Sequence, residues 1–98
     1  MTIKETRNEG TLTVSLEGRL DTTTSPELDE LLEKYYPSID QLIFDFEKLD
    51  YLSSAGLRVL LKAQKALNNR GGILIRHASK LVMSVFEVTG FTELLRFE

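Results

Sequence analysis

Two short runs with almost no polar residue, Leu42-Ile43-Phe44 and Ile73-Leu74-Ile75, set the terms for the whole chain. Each is too short for a helix and lacks the alternation of a strand with one wet face. Each therefore reads as a central strand covered on both faces, the first extending over Gln41 to Asp45. Between them Leu57, Leu60, Leu61 and Leu67 recur at helical spacing, with Val59, Ala63 and Ala66 beside them. Arg58, Lys62 and Lys65 take the outer side of that helix. Strand, helix and buried strand make a parallel pair joined by a right-handed crossover.

The flanking segments extend this unit. Thr11 to Glu17 alternates strictly, with Leu12, Val14 and Leu16 against Thr11, Thr13 and Ser15, as a half-buried strand does. Ile3 to Arg7 reads as an edge strand, joined to it by a turn at Asn8-Glu9-Gly10. Ser25-Pro26 marks a helix start, with serine at N-cap and proline at N1, and Glu27, Asp29 and Glu30 occupy the first turn. Leu28, Leu31, Leu32, Tyr35 and Tyr36 form its apolar face, and Pro37 stops it. Asn69-Arg70-Gly71-Gly72 ends the middle helix. Ser79 caps a third helix with Leu81, Val82, Val85, Phe86 and Thr89 on one face, and Gly90 ends it. Leu94 to Phe97 is a short last strand. The order β-β-α-β-α-β-α-β over residues 1–98 defines a single α/β domain, a small mixed sheet with helices packed against it.

That order has a geometric consequence. Loops leaving parallel strands emerge on one edge of the sheet, where open α/β sheets bind partners. Gly18 to Thr24, Glu47 to Ser54 and Arg76 to Ser79 are therefore expected to cluster. Asp21, Thr22 and Thr23 then lie near the strand-to-helix junction Leu52-Ser53-Ser54-Ala55-Gly56-Leu57. Ser53 or Ser54 is the N-cap, because a hydroxyl there accepts a bond from an orphaned N–H. The same helix end favours negative charge, and Ala55 and Gly56 leave little side chain to bar an approaching partner. Tyr51 serves either packing or partner contact.

Composition narrows the function classes. The net charge is −3, which argues against a nucleic-acid binder. There is no cysteine, hence no disulfide and no thiolate chemistry, which suits a cytoplasmic protein. No run approaches the ~18 apolar residues of a membrane span, and the first residues lack an apolar signal core. A Ser54–His77 pair oriented by Asp21 or Asp50 would be the basis of a small serine hydrolase. The Gly-x-Ser-x-Gly elbow is missing, so no catalytic residue is assigned. Asp45, Glu47 and Asp50 match no calcium loop and Gly71-Gly72 no phosphate-binding motif, so neither metal nor cofactor is expected.

The segment Asp45-Phe46-Glu47-Lys48-Leu49-Asp50-Tyr51-Leu52-Ser53-Ser54-Ala55-Gly56-Leu57 resembles the signature of STAS domains, and more narrowly that of anti-sigma factor antagonists. Gly18-Arg19-Leu20-Asp21 and Ala78-Ser79 extend the resemblance over the whole chain. It implies a binding module. Unphosphorylated, the domain binds an anti-sigma factor that is also a serine kinase, and a sigma factor is released. Phosphorylation at Ser54, the serine two residues before the motif glycine, ends that contact, and a phosphatase reverses it. The family's best-known members carry an acidic residue where this chain has Ser53. The implied contact residues are Asp21, Thr22, Thr23, Ser53, Ser54, Ala55, Gly56 and Leu57. A STAS-type module with another partner, a sensor or a stressosome-like assembly, is the alternative.

Overall fold

The computed structural model describes residues 1–98. The strands are β1 (Thr2–Asn8), β2 (Thr11–Leu20), β3 (Gln41–Leu52), β4 (Gly72–Arg76) and β5 (Arg96–Phe97). The helices are α1 (Ser25–Tyr35), α2 (Ser54–Ala66) and α3 (Lys80–Thr89). A short 3-10 turn, Tyr36–Ser38, follows α1, and another, Phe91–Glu93, follows α3. The sheet order is β1-β2-β3-β4-β5, with β1 antiparallel to β2 and the other neighbours parallel.

Each crossover moves one strand in the same direction, so right-handed connections place all three helices on one face. Burial follows. Leu12, Val14, Leu16, Leu42, Phe44, Phe46, Ile73 and Ile75 are fully buried under the helices. On the opposite face Thr13, Ser15, Asp45, Leu74 and Arg76 keep partial exposure. The expectation of strands covered on both faces is thus corrected: the domain has two layers. The run Leu42-Ile43-Phe44 is continuous because Ile43 is buried on the open face by its neighbours in the sheet, without a helix above it.

A second correction concerns β3. The apolar run predicts a strand ending at Asp45 with a loop from Glu47 to Ser54, whereas the strand continues to Leu52. The cause lies in its pairing with β2. Ser15 faces Asp45, Glu17 faces Lys48, and Arg19 faces Tyr51, so two extra residues enter β3 as bulges. Each bulge turns a two-residue repeat into three, and the buried residues become Phe46, Leu49 and Leu52. An alternation test cannot recognise that spacing as a strand. Strand β2 likewise runs on to Leu20, three residues beyond the expected Glu17, with Gly18 at φ +107°.

The helix ends mostly follow their chemistry. Ser79 caps α3, its Oγ accepting from the Val82 N–H at 3.2 Å, and Gly90 closes that helix at φ +79°. Ser25 is not the cap of α1. Thr24 occupies that position and Ser25 is the first helical residue, 3% exposed, its Oγ without a partner. Of the acidic residues assigned to the first turn only Glu27 lies there; Asp29 reaches across to Lys62 on α2 at 3.1 Å. On α3, Val82 and Phe86 face the core, and Phe86 packs edge-on against Phe97 at 5.0 Å and stacks with Phe46 at 6.5 Å. Leu81, expected on that buried face, is 63% exposed.

Candidate functional site

The site forms where β2 and β3 end together. Leu20 pairs with Leu52, and the Ser53 N–H donates to the Leu20 carbonyl at 3.0 Å. The turn that begins at Asp21 is thereby tied to the residue that caps α2.

The turn is held by its own side chains. Asp21 Oδ1 accepts from the backbone N–H of Thr23 at 3.0 Å and of Thr24 at 3.1 Å. The Thr24 hydroxyl donates to the Arg19 carbonyl at 2.7 Å and accepts from the Asp21 N–H at 2.9 Å. The Thr24 N–H holds the Asp21 carboxyl below the usual carboxylate range, helped by Thr23 and the Arg19 charge against a smaller opposing effect of burial. Thr22 and Thr23 are left exposed at the tip.

At the junction the two serines divide the work. Ser53 has extended backbone and is the N-cap of α2, its Oγ accepting from the Gly56 N–H at 3.4 Å. Ser54 is the first residue of the helix and is exposed, and its hydroxyl makes no hydrogen bond. Ala55 is half-buried, while Gly56 and Leu57 are buried. Gly56 is a close approach: a Cβ there would stand 2.8 Å from Leu20 Cγ and 2.8 Å from Leu52 Cδ1. Of the eight sequence-derived contact residues, then, Thr22, Thr23 and Ser54 are exposed, Asp21, Ser53 and Ala55 partly so, and Gly56 and Leu57 contribute by setting the helix close to the strands.

Two residues the sequence reading did not pair complete the rim. The Arg19 guanidinium lies 4.1 Å from the centre of the Tyr51 ring, and its Nε is 3.6 Å from Asp21 Oδ2. Tyr51 is 39% exposed, so partner contact is open to it. The pairing of Arg19 with Tyr51 follows from the bulged register, which no sequence spacing reveals.

The third loop does not join the other two. Strand β4 ends at Arg76 opposite Asp45, so β3 continues seven residues, on the order of 20 Å, past that level. His77 accordingly meets Asp45, Nδ1 to Oδ1 at 3.0 Å, and not Ser54. Burial on its own would raise the Asp45 carboxyl, but the bonds from His77 and the Glu47 N–H, with the charges of His77 and Arg76, take it below its ordinary value. This separation removes the serine-hydrolase arrangement, since the only histidine is spoken for far from the candidate nucleophile. Asp45, Glu47 and His77 offer ligand atoms within 4.8 Å of one another, and the direct Asp45–His77 bond already explains that proximity.

A family model described as "Mlab, STAS domain" matches residues 3–96. The chain belongs to the STAS domain family. Among its relatives, an anti-sigma-B factor antagonist of Staphylococcus aureus is 31% identical over 97 residues, covering 97% of this chain and 90% of that protein. BtrV of Bordetella bronchiseptica, a protein named as a candidate anti-sigma factor antagonist, is 33% identical over 85 residues, covering 85% of this chain and 73% of its own. In structure the STAS domain superposes on the unphosphorylated anti-sigma factor antagonist SpoIIAA with a TM-score of 0.87 at 19% identity, over 99% of this chain and 88% of that one. The phosphorylated form of SpoIIAA from Bacillus gives 0.78 at 18% identity, over 99% and 91%. These two likenesses establish the fold, an α/β domain with a five-stranded sheet and three helices. These relatives are named as antagonists of an anti-sigma factor. No helix is long and apolar enough to cross a membrane.

Proposed function

We propose that this domain is an anti-sigma factor antagonist whose partner is an anti-sigma factor with serine kinase activity, and that Ser54 is the switch. The observation that carries the proposal is the division between the serines: Ser53 caps α2, which leaves the Ser54 hydroxyl exposed and free at the same helix end. A hydroxyl without a structural duty can be esterified without removing a cap. The first-turn N–H groups of α2 and the helix dipole, about half a positive charge, favour an anion there.

Phosphorylation adds roughly −1.5 to −2 charges at pH 7. Within the free domain the helix end accommodates that charge. At a contact built around a small neutral hydroxyl it brings a desolvation cost and a bulky group. A loss of ~3 kcal/mol of contact energy weakens binding more than a hundredfold. The unphosphorylated surface, formed by Asp21, Thr22, Thr23, Ser53, Ser54 and Ala55 on the frame set by Gly56 and Leu57, binds the anti-sigma factor and frees its sigma factor. The kinase then transfers the γ-phosphate of ATP to Ser54, and a phosphatase resets the domain. That SpoIIAA keeps this fold in both of its solved forms supports a switch without refolding.

The test is incubation with the cognate kinase and ATP, followed by mass spectrometry of Ser53→Ala and Ser54→Ala proteins. Phosphate is expected on Ser53→Ala and absent from Ser54→Ala, which still binds the kinase. Phosphate on Ser54→Ala and none on Ser53→Ala would move the switch to the other hydroxyl. In NMR spectra of the two forms, shift changes are expected at the loops around Ser54 and not through the sheet.

A further inference from the structure

We propose that two copies of this domain associate through the outward stripe of α3, packed antiparallel about a two-fold axis. Leu81 is 63% exposed and Val88 86% exposed, seven residues apart and so on one line of the helix. With half-buried Val85 between them these side chains form a continuous apolar stripe and not scattered single residues. Exposed Ser84 lies beside Val85 along the same line. The Ser84 hydroxyl donates to the Leu81 carbonyl at 2.7 Å, so covering it strands no polar group. A small residue there also allows a second helix to come close.

Charge selects the occupant. Lys80 and Glu87, also seven residues apart, border the same stripe on one side, and neither takes part in an ion pair within the chain. When two such helices pack antiparallel, like edges meet with their directions reversed. Leu81 then lies opposite Val88 of the second copy, and Lys80 comes within reach of its Glu87. Symmetry makes each contact twice. Parallel packing would set the charged edge against the Val85 edge and pair nothing. The stripe is therefore complementary to itself in one orientation only. A ten-residue helix is about 15 Å long and buries less than a standard interface, so the association is expected to be weak. The stripe carries none of the residues around Ser54, which association leaves open.

Sedimentation velocity from about 20 µM to about 1 mM tests this, with circular dichroism to confirm that each variant is folded. The wild-type protein is expected to shift toward dimer as concentration rises, and Val88→Asp to remain a monomer. Lys80→Glu alone and Glu87→Lys alone place like charges at both pair positions and are expected to weaken association at least about tenfold. Lys80→Glu combined with Glu87→Lys recreates the pairs in reverse and should restore it to within about threefold. A wild-type protein that stays monomeric throughout overturns the proposal. So does a folded Val88→Asp protein that dimerises like wild type, or a double reversal no tighter than the single ones.

Discussion

Replacing Gly56 by alanine tests how tightly α2 is seated on the strands that carry it. Its backbone is ordinary helix, so the added methyl meets no conformational strain of its own. The obstacle is space. The new Cβ would lie 2.8 Å from Leu20 Cγ, 2.8 Å from Leu52 Cδ1 and 3.0 Å from Leu20 Cδ2. Carbon atoms in favourable contact stand about 3.5–4.0 Å apart, so each overlap approaches 1 Å. Leu20 is fully buried and Leu52 is 3% exposed, which leaves both leucines little room to yield. Overpacking of this kind costs about 1–3 kcal/mol. Alanine returns up to about 1 kcal/mol over glycine within a helix. The net expectation is a destabilisation of about 1 kcal/mol, or a fall of about 4–8 °C in the melting temperature of a domain this size. Thermal and urea unfolding followed by circular dichroism measures it, with Ser54→Ala as a control expected within about 0.5 kcal/mol of wild type. The amide shifts of Leu20, Leu52, Ser53 and Ser54 should move together. A Gly56→Ala protein more stable than wild type, with those amides unmoved, would refute the close approach.

Other residues give independent checks. Ser53→Ala should lose about 1 kcal/mol of stability by urea unfolding, since it removes the cap of α2 that Ser54→Ala leaves intact. Phe86→Ala should lose about 3–5 kcal/mol, because its ring joins Phe46 and Phe97 in the core; calorimetry reads the loss directly. Asp45 and Asp21 have carboxyls depressed in the folded state, so each stabilises the fold above its unfolded pKa of about 3.9, and that contribution disappears as pH falls through the lower folded value. His77→Gln should therefore raise the Asp45 midpoint in a carboxyl-carbon NMR titration while leaving that of Asp21 unchanged.

The parallel core was legible because its strands keep their period. Leu12, Val14 and Leu16 alternate, the run at Leu42 is continuous, and the leucines of α2 repeat at helical spacing. What escaped was the upper half of β3. Phe46, Leu49 and Leu52 are spaced by threes through two bulges, a pattern that neither a strand nor a helix template fits. Read as a loop, that segment makes the three carboxyl-end loops level and puts His77 on the same edge as Ser54, whereas His77 meets Asp45. The junction itself was legible down to the choice between two serines, because capping chemistry is local. Which serine caps depended on where the helix starts, to one residue. The Arg19–Tyr51 contact depends on register across the bulges, and the Asp45–His77 bond joins residues 32 apart in sequence. Neither leaves a mark in the linear pattern.

The unequal ends of β3 and β4 bear on how such domains diverge. Extra residues in β3 are absorbed against β2, well beyond the last pair with β4, so the junction can be lengthened, shortened or re-aimed while the lower three strands stay in step. Residues 17–20 and 46–52 then behave as an adjustable mount on a fixed chassis. Descendants of one ancestor could acquire new binding preferences by editing that mount alone, without passing through an unfolded intermediate sequence.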